Sequence, residues 1–384
     1  MNAMIYLDNA ATSFIKPDAV YEEMMKCMKE YGANPGRGGH SLSIKASVEV
    51  MRVREIIGAF FNIKDPMRIC FTKNATEALN IGISGYIKEG DHVITTSMEH
   101  NSVIRPLNTL KRDRKIEFTV VDCNEYGEID VEDIKKAIKP NTRLLVSTLS
   151  SNVNGIIMPV KDMGRIANEK GICFLLDASQ GAGSIKIDVE DMYIDMMAFP
   201  GHKGLLGPQG TGAIYIRDGL KLSPIIYGGT GSHSEIIFQP EMLPDNMESG
   251  TLNTPGIIGL GAGIDYIEKV GIEKIKKIKY NLIKTLHEGI EEIGKIKIYS
   301  KNNIDSNSGI VAINFIDVDS TEVSYVLDRV YNIATRAGLH CSLFAHQTLG
   351  TVKTGIVRFS PGPFNTADEI DITLNALREI SCNI

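Results

Sequence analysis

The sequence lacks most of the features that tie a chain to a membrane, an oxidising compartment or a nucleic acid. No apolar run approaches the roughly 18 residues that a membrane span requires, and the first residues carry no signal-peptide pattern. We therefore expect a cytoplasmic protein with no membrane contact. The six cysteines (27, 70, 123, 173, 341 and 382) include no CxxC pair and no metal-ligand spacing. Free thiols in a reducing environment are expected, and nothing in the spacing asks for a metal. Neither sign of charge dominates: 41 Lys and Arg stand against 47 Asp and Glu, a formal −6. That balance removes the electrostatic reason to expect a nucleic acid as partner. Repeats, low-complexity tracts and long linkers are absent too. What remains is 384 residues, 43% hydrophobic, enough for one large domain or two joined ones.

The pattern that is present is strand–helix alternation. Ile5 to Thr12 reads as a short strand running into small and polar residues, and a helix is expected from Asp18 to Glu30. Asn34 to His40 is a glycine-rich loop, with another helix to about Phe60. His40 would face either a site or solvent. From residue 69 the strands fall at 69–72, 92–96, 116–121, 143–149, 172–176, 194–199 and 212–217. Helices near 75–88, 130–138 and 159–169 separate them. This is the signature of an α/β fold with a mainly parallel sheet covered on both faces. Ligands of such sheets bind beyond the carboxyl ends of the strands. There the sequence puts Thr72 to Thr76, His100, Asn152, Asp177 to Gln180 and the Lys203 loop. Asn74 reads as a helix N-cap, and the amides that follow form a ready anion site.

Two of these strand ends carry the chemistry. Lys203 stands in Ala198-Phe-Pro-Gly-His-Lys-Gly-Leu-Leu-Gly-Pro-Gln-Gly-Thr-Gly-Ala-Ile214, among apolar residues and glycines. Poor solvation favours its neutral amine and suits Schiff-base chemistry; a surface hairpin with a solvated lysine is the competing reading. Asp177 directly follows the apolar Phe174-Leu-Leu, where an unpaired carboxylate is costly. It needs a cationic or hydrogen-bonding partner, such as a protonated pyridine nitrogen, or else it caps the next helix.

In order along the chain stand Leu7-Asp-Asn-Ala-Ala-Thr12, Asn74-Ala-Thr-Glu77, Met98-Glu-His100, Ser151-Asn-Val153, Asp177-Ala-Ser-Gln180, Gly201-His-Lys203, Glu248-Ser-Gly-Thr251 and Arg336-Ala-Gly-Leu-His-Cys341. With these motifs the sequence resembles the pyridoxal-phosphate enzymes of aminotransferase class V, and within them the group II cysteine desulfurases and selenocysteine lyases. Each motif is weak alone; their ordered conjunction over nearly the whole chain is specific. The resemblance implies fold type I, with a seven-stranded large domain at 15–255 and a smaller α+β domain from 1–14 and 256–384. It implies that Lys203 holds pyridoxal 5'-phosphate covalently, that Asp177 pairs with the ring nitrogen and that His100 stacks on the ring. Ala75, Thr76 and His202 would hold the phosphate, with Thr251 reaching it from the second subunit of a homodimer. Asn152 and Gln180 would meet the ring oxygen and the substrate side. One departure is Pro200, which stands where relatives commonly carry a hydroxyl residue, so one phosphate hydrogen bond is expected to be missing.

Beyond Pro255 the lysines between 274 and 284 lie mostly off an apolar helical stripe and read as a solvated face. Strands near 296–299 and 310–316 and helices near 320–331 and 366–380 complete the second unit. Cys341, beside His340 in a polar, glycine-containing loop, is the cysteine placed to be an accessible thiolate; Cys70 and Cys173 fall in apolar strands. Arg358 offers a fixed fork for a carboxylate, with a structural salt bridge as the alternative. In the resembled family Arg358 would bind the amino-acid carboxylate and Cys341 would take the sulfur, with His40 a further candidate on the substrate side. Leu339 and Ser342 differ from the commonest group II form, which has histidine and alanine there. The expected reaction turns L-cysteine into L-alanine with a persulfide left on Cys341 for an acceptor protein. A selenocysteine lyase or class V aminotransferase would share the cofactor residues. A nucleotide module at Gly228 to Gly231 lacks the GK[ST] ending of a phosphate loop, and a scaffold that holds cofactor without turnover has only Pro200 in its favour.

Overall fold

The computed structural model describes residues 4–36, 38–232 and 235–383. In chain order the elements are β1 (Ile5–Tyr6), α1 (Asp18–Glu30), α2 (Ser41–Phe61), β2 (Ile69–Thr72), α3 (Ala75–Tyr86), β3 (His92–Thr96), α4 (Asn101–Asp113) and β4 (Glu117–Val121). There follow α5 (Val131–Ala137), β5 (Thr142–Thr148), α6 (Val160–Glu169), β6 (Cys173–Asp177), β7 (Met196–Pro200), β8 (Gly212–Ile216), α7 (Thr254–Val270) and α8 (Ile272–Glu291). The last part runs β9 (Ile296–Ile298), β10 (Val311–Phe315), α9 (Ser320–Tyr331), β11 (Ile333–Ala334), α10 (Leu343–Thr348), β12 (Val357–Phe359) and α11 (Ala367–Asn383).

Seven strands form one sheet in the order β2-β8-β7-β6-β5-β3-β4. Its β7-β6-β5-β3-β4 run is parallel, while β8 lies antiparallel to both β7 and β2. Strands β3, β6, β7 and β8 are buried at every position. That follows from helices on both faces and explains why β7 and β8, and β6 up to its terminal Asp177, read as near-continuous apolar runs rather than alternating ones. Two apolar clusters fill the two faces, one reaching α1, α2 and α7, the other lying under α3 and α4. A third core belongs to the antiparallel sheet β12-β10-β9 with α8, α9 and α11, and Ile5 and Leu7 from the N-terminal strand join it.

The parallel strands all end at one rim, and local chemistry fixes what they deliver there. Asn74 caps α3 by accepting from the Glu77 amide at 2.9 Å, and His100 caps α4 by accepting from the Ser102 amide at 3.0 Å. The loop holding Lys203 crosses the 180–184 turn at van der Waals contact. A Cβ at Gly183 (φ +86°) would lie 2.2 Å from the Gly204 carbonyl oxygen, and one at Gly204 would lie 2.3 Å from that of Ala182. Only glycine at both positions permits this approach. The Glu248 segment is pinned from below: its carboxylate takes Arg54 Nη2 at 2.5 Å and the Phe71 amide at 2.6 Å. This buried, fully bonded pair ties the loop after β8 to α2 and β2.

Candidate active site

At that rim lies a cleft of ≈ 490 Å³ lined by Asn74, Ala75, Thr76, His100, Ser102, Asn152, Asp177, Gln180, Pro200, His202 and Lys203, among others. Thus nine of the residues expected from the sequence meet in one cleft: Ala75, Thr76, His100, Asn152, Asp177, Gln180, His202, Lys203 and the departure Pro200. Two do not. His40 is exposed and caps α2, accepting from the Ser43 amide at 3.3 Å. Thr251 is exposed and is not part of the cleft lining. Gly228 to Gly231 lie in the irregular segment between β8 and α7, with no helix among the described residues until Thr254.

Burial pushes the Lys203 amine down to about 8, Asp177 pulls it up, and the positive charges of Arg358 and Arg336 lower it further. Near neutrality a usable fraction of this lysine is therefore an uncharged amine. His100 is lowered to about 4, first by burial, with Asp177 opposing and Lys203 adding to the shift. Because its Nδ1 accepts the Ser102 amide, the neutral ring carries its proton on Nε2. Ser102 Oγ, 2.9 Å from that Nδ1, also lies 2.8 Å from Thr76 Oγ1, so ring and helix entrance are wired together. His202 is likewise held neutral, near 4, by burial and then by Lys203 and Lys16. Its buried Nδ1 has no partner. Asp177, 2% exposed, accepts from the Ser179 amide at 2.9 Å and leaves the rest of its carboxylate toward the cleft it lines. Gln180 donates to the Ala10 carbonyl at 3.0 Å.

Cys341 lies on the far side of His100. A second groove shares Thr76, His100 and Ser102 with the cleft and is lined also by Asn101, Arg105 and Cys341. The Cys341 thiol is exposed, while burial pushes those of Cys27, Cys70, Cys123 and Cys173 up. Arg336 Nη2 stands 3.8 Å from Cys341 Sγ. This arginine was not among the expected residues, although it opens the motif that ends in Cys341; only the folded loop brings a residue five positions away back onto the thiol. His340 and Cys341 both adopt positive φ, +47° and +58°, at a cost of about 1 kcal/mol each for residues with a Cβ. Arg358 is 1% exposed and pairs with Asp8, Nη2 to Oδ1 at 2.7 Å, while Nη1 donates to the Asn152 carbonyl at 2.7 Å. The salt bridge is thus present, and the buried Nε still has no partner. One reading of the lysine-rich helix needs correcting. Lys279 on α8 does not lie on a solvated face; it lines a cavity of ≈ 500 Å³ together with Gln180, Lys203 and Ser360. The reason is register: Lys279 falls four residues after Ile275, on the side of α8 that faces the domain junction.

The family profile described as aminotransferase class V matches residues 5–373, and the chain belongs to that family. Its fold is that of the fold type I pyridoxal-phosphate enzymes, a class whose members need the cofactor. Among relatives, a probable cysteine desulfurase of Methanothermobacter thermautotrophicus is 38% identical over 98% of this chain and 94% of its own. A cysteine desulfurase of Pectobacterium carotovorum is 33% identical over 98% of this chain and 93% of its own. Among solved structures, the apo cysteine desulfurase of Thermococcus onnurineus superposes with a TM-score of 0.93 at 33% identity, covering 99% of this chain and 95% of that one. An Escherichia coli cysteine desulfurase captured with an S-sulfonic acid gives 0.89 at 26% identity, with the same coverage.

The cleft fits pyridoxal phosphate on its own chemistry. The entrance of α3 offers first-turn amides at Ala75 and Thr76 for a phosphate, and the orphaned His202 Nδ1 lies in reach of the same end. A buried carboxylate for a ring nitrogen and a readily neutral amine for an aldehyde stand on either side. Pro200, in the same lining, supplies no hydroxyl.

Proposed function

We propose that the protein is a pyridoxal-phosphate-dependent cysteine desulfurase, converting L-cysteine to L-alanine and leaving a persulfide on Cys341. The observation that carries this reading is an exposed thiol beside Arg336, on a groove that shares His100 with the Lys203 cleft. In this reading Lys203 holds the cofactor, Asp177 faces its ring nitrogen, His100 lies against the ring, and Ala75, Thr76 and His202 hold the phosphate. Asn152 and Gln180 border the substrate side, and the free Nε of Arg358 faces the carboxylate. When bound, the cofactor supplies the electron sink that makes the substrate's α-proton acidic. Lys203 Nζ takes that proton and returns it. The Cys341 thiolate, with Arg336 Nη2 3.8 Å from its sulfur, attacks the substrate sulfur; an S–S bond forms and the Cβ–S bond breaks. Its electron pair stays with carbon, which gains one proton at Cβ and leaves as alanine. His100, neutral with a proton on Nε2, is placed to hand a proton across the space between the two grooves.

Cys341→Ser should keep the visible absorbance of the bound cofactor and abolish sulfide release in the presence of a reductant. Undiminished desulfuration by that variant would assign the sulfur to another thiol.

The working unit in this reading is a homodimer. Thr251 is exposed on its own chain, as expected of a residue that reaches a partner's phosphate. Three consecutive apolar side chains are also exposed, Ile236 at 50%, Ile237 at 92% and Phe238 at 76%, a contiguous run of the kind that marks an interface. Sedimentation as a monomer at micromolar concentration would count against the shared site.

A further inference from the structure

The segment carrying Cys341 is held at more points than its length requires, and the holding groups lead back to the cleft. The Ser342 hydroxyl, fully buried, donates to Asn152 Oδ1 at 2.7 Å. Asn152 Nδ2 in turn donates to the His340 carbonyl at 2.7 Å. One side-chain amide thus grips both residues flanking the cysteine, and these two bonds fix which way round the amide lies. The Asn101 amide donates to the Cys341 carbonyl at 2.8 Å, and the His340 ring is 3.1 Å from the Ile356 carbonyl through Nε2. The far end of Asn152 is anchored too, since its carbonyl accepts Arg358 Nη1, whose other nitrogen is paired with Asp8. The same Asn152 lines the cleft that holds Lys203.

Building on the desulfurase reading, we propose that Ser342 is a positioning residue: through Asn152 it clamps the Cys341 loop in its left-handed conformation and joins the thiol's placement to the occupancy of the cleft. The turn is closed locally by the Ser342 amide, which donates to the Leu339 carbonyl at 2.9 Å. Two consecutive residues with a Cβ at positive φ nevertheless remain costly, and the side-chain bonds from Ser342 and Asn152 add the restraint that offsets this. Without the Ser342 hydroxyl, Asn152 Oδ1 becomes a buried acceptor lacking its donor. The amide is then free to turn toward the cleft, and the His340 carbonyl loses its grip. A polar ligand that draws Asn152 toward itself would release the loop by the same route, so the clamp acts in both directions.

The test is a double-mutant cycle on the cofactor-loaded protein with Ser342→Ala, Asn152→Ala and both together. Amide hydrogen exchange over residues 339–343 should accelerate by about ten-fold in Ser342→Ala, and the double variant should exchange no faster than Asn152→Ala alone. The kcat of Ser342→Ala should fall by about ten-fold while KM for cysteine stays within about two-fold, and exchange in α9, remote from the clamp, should not change. Unchanged exchange over 339–343 in Ser342→Ala, or a double variant in which the two effects simply add, would overturn the clamp. The exchange readout does not depend on turnover. Failure of the desulfurase reading itself would instead appear as neither alanine nor sulfide formed from L-cysteine by the cofactor-loaded wild type, with the exchange cycle intact.

Discussion

Lys203 and Lys279 are the same side chain under the same pressure, and the structure uses them differently. Both line the cavity between the two units, and burial pushes each amine down to about 8. Around Lys203 the field is structured: Asp177 pulls the amine up, Arg358 and Arg336 push it down, and a cleft with His100 and a helix entrance opens beside it. Around Lys279 burial acts alone. Its ammonium donates to Ser184 Oγ and to the Ser308 carbonyl, each at 2.9 Å, and so bridges the turn below Lys203 to the small unit. The difference teaches that a depressed amine is only a precondition for covalent chemistry. In the proposed reading a carboxylate and a neutral histidine in the same cleft set the reactive lysine apart, whereas a hydroxyl and a carbonyl oxygen make Lys279 a strut.

The strongest way to break this comparison is to remove each lysine in turn. Lys203→Ala should lose the cofactor absorbance that borohydride fixes and lower turnover by at least about 10³-fold. Lys279→Ala should keep both. Equal losses in the two variants would erase the distinction. A smaller effect sharpens it. Attack on the cofactor aldehyde needs the neutral amine, so the rate of covalent loading of cofactor-free protein should rise with pH and level off above about 8. His100 and His202, both held near 4, stay neutral across this range and should add no inflection near pH 6.5. An inflection there, measured by stopped-flow absorbance, would mean that one of these rings is protonated in the loading-competent form.

Much of the site was legible because its residues sit at ends of apolar strands, where pattern and chemistry coincide. Asp177 and the Lys203 loop stand out for that reason, and the helix Asp18–Glu30 and strand His92–Thr96 begin and end where the periodicity says. What was not legible depends on long-range closure. Asp8 meets Arg358 across 350 residues, and Arg336 reaches Cys341 only when the loop turns through two left-handed residues. Helix α10, six residues long, is too short to display a period. The boundary expected at 255/256 falls at the start of α7, whose apolar side packs with α1 and α2 rather than with the small sheet. We propose that the two units divide nearer Gly271, where α7 ends. Lys279 eluded the stripe argument because one inward lysine among several outward ones leaves the composition unchanged.

The smallest predicted effect isolates the strut. An amine whose folded-state value is about 8 instead of the usual 10.5 has released its proton in the folded protein while the unfolded chain still binds one. Between those two values stability must therefore rise with pH, and the gain is complete above the upper one. Lys203 and Lys16 contribute in the same direction, because both are also lowered to about 8, so the slope of the cofactor-free protein reflects all three. Lys279→Met removes one share and leaves the others. Urea unfolding of cofactor-free wild type and variant should give stabilities that converge or diverge with pH by roughly 1 kcal/mol, the wild type gaining more as pH rises from about 8 to about 10.5. The figure is kept below the full value of the shift because the ammonium retains two hydrogen bonds when charged. Identical pH slopes in the two proteins would mean that Lys279 keeps its proton in the fold. The two lysines would then differ in burial itself, and the charged neighbours of Lys203 could no longer be credited with the difference in use.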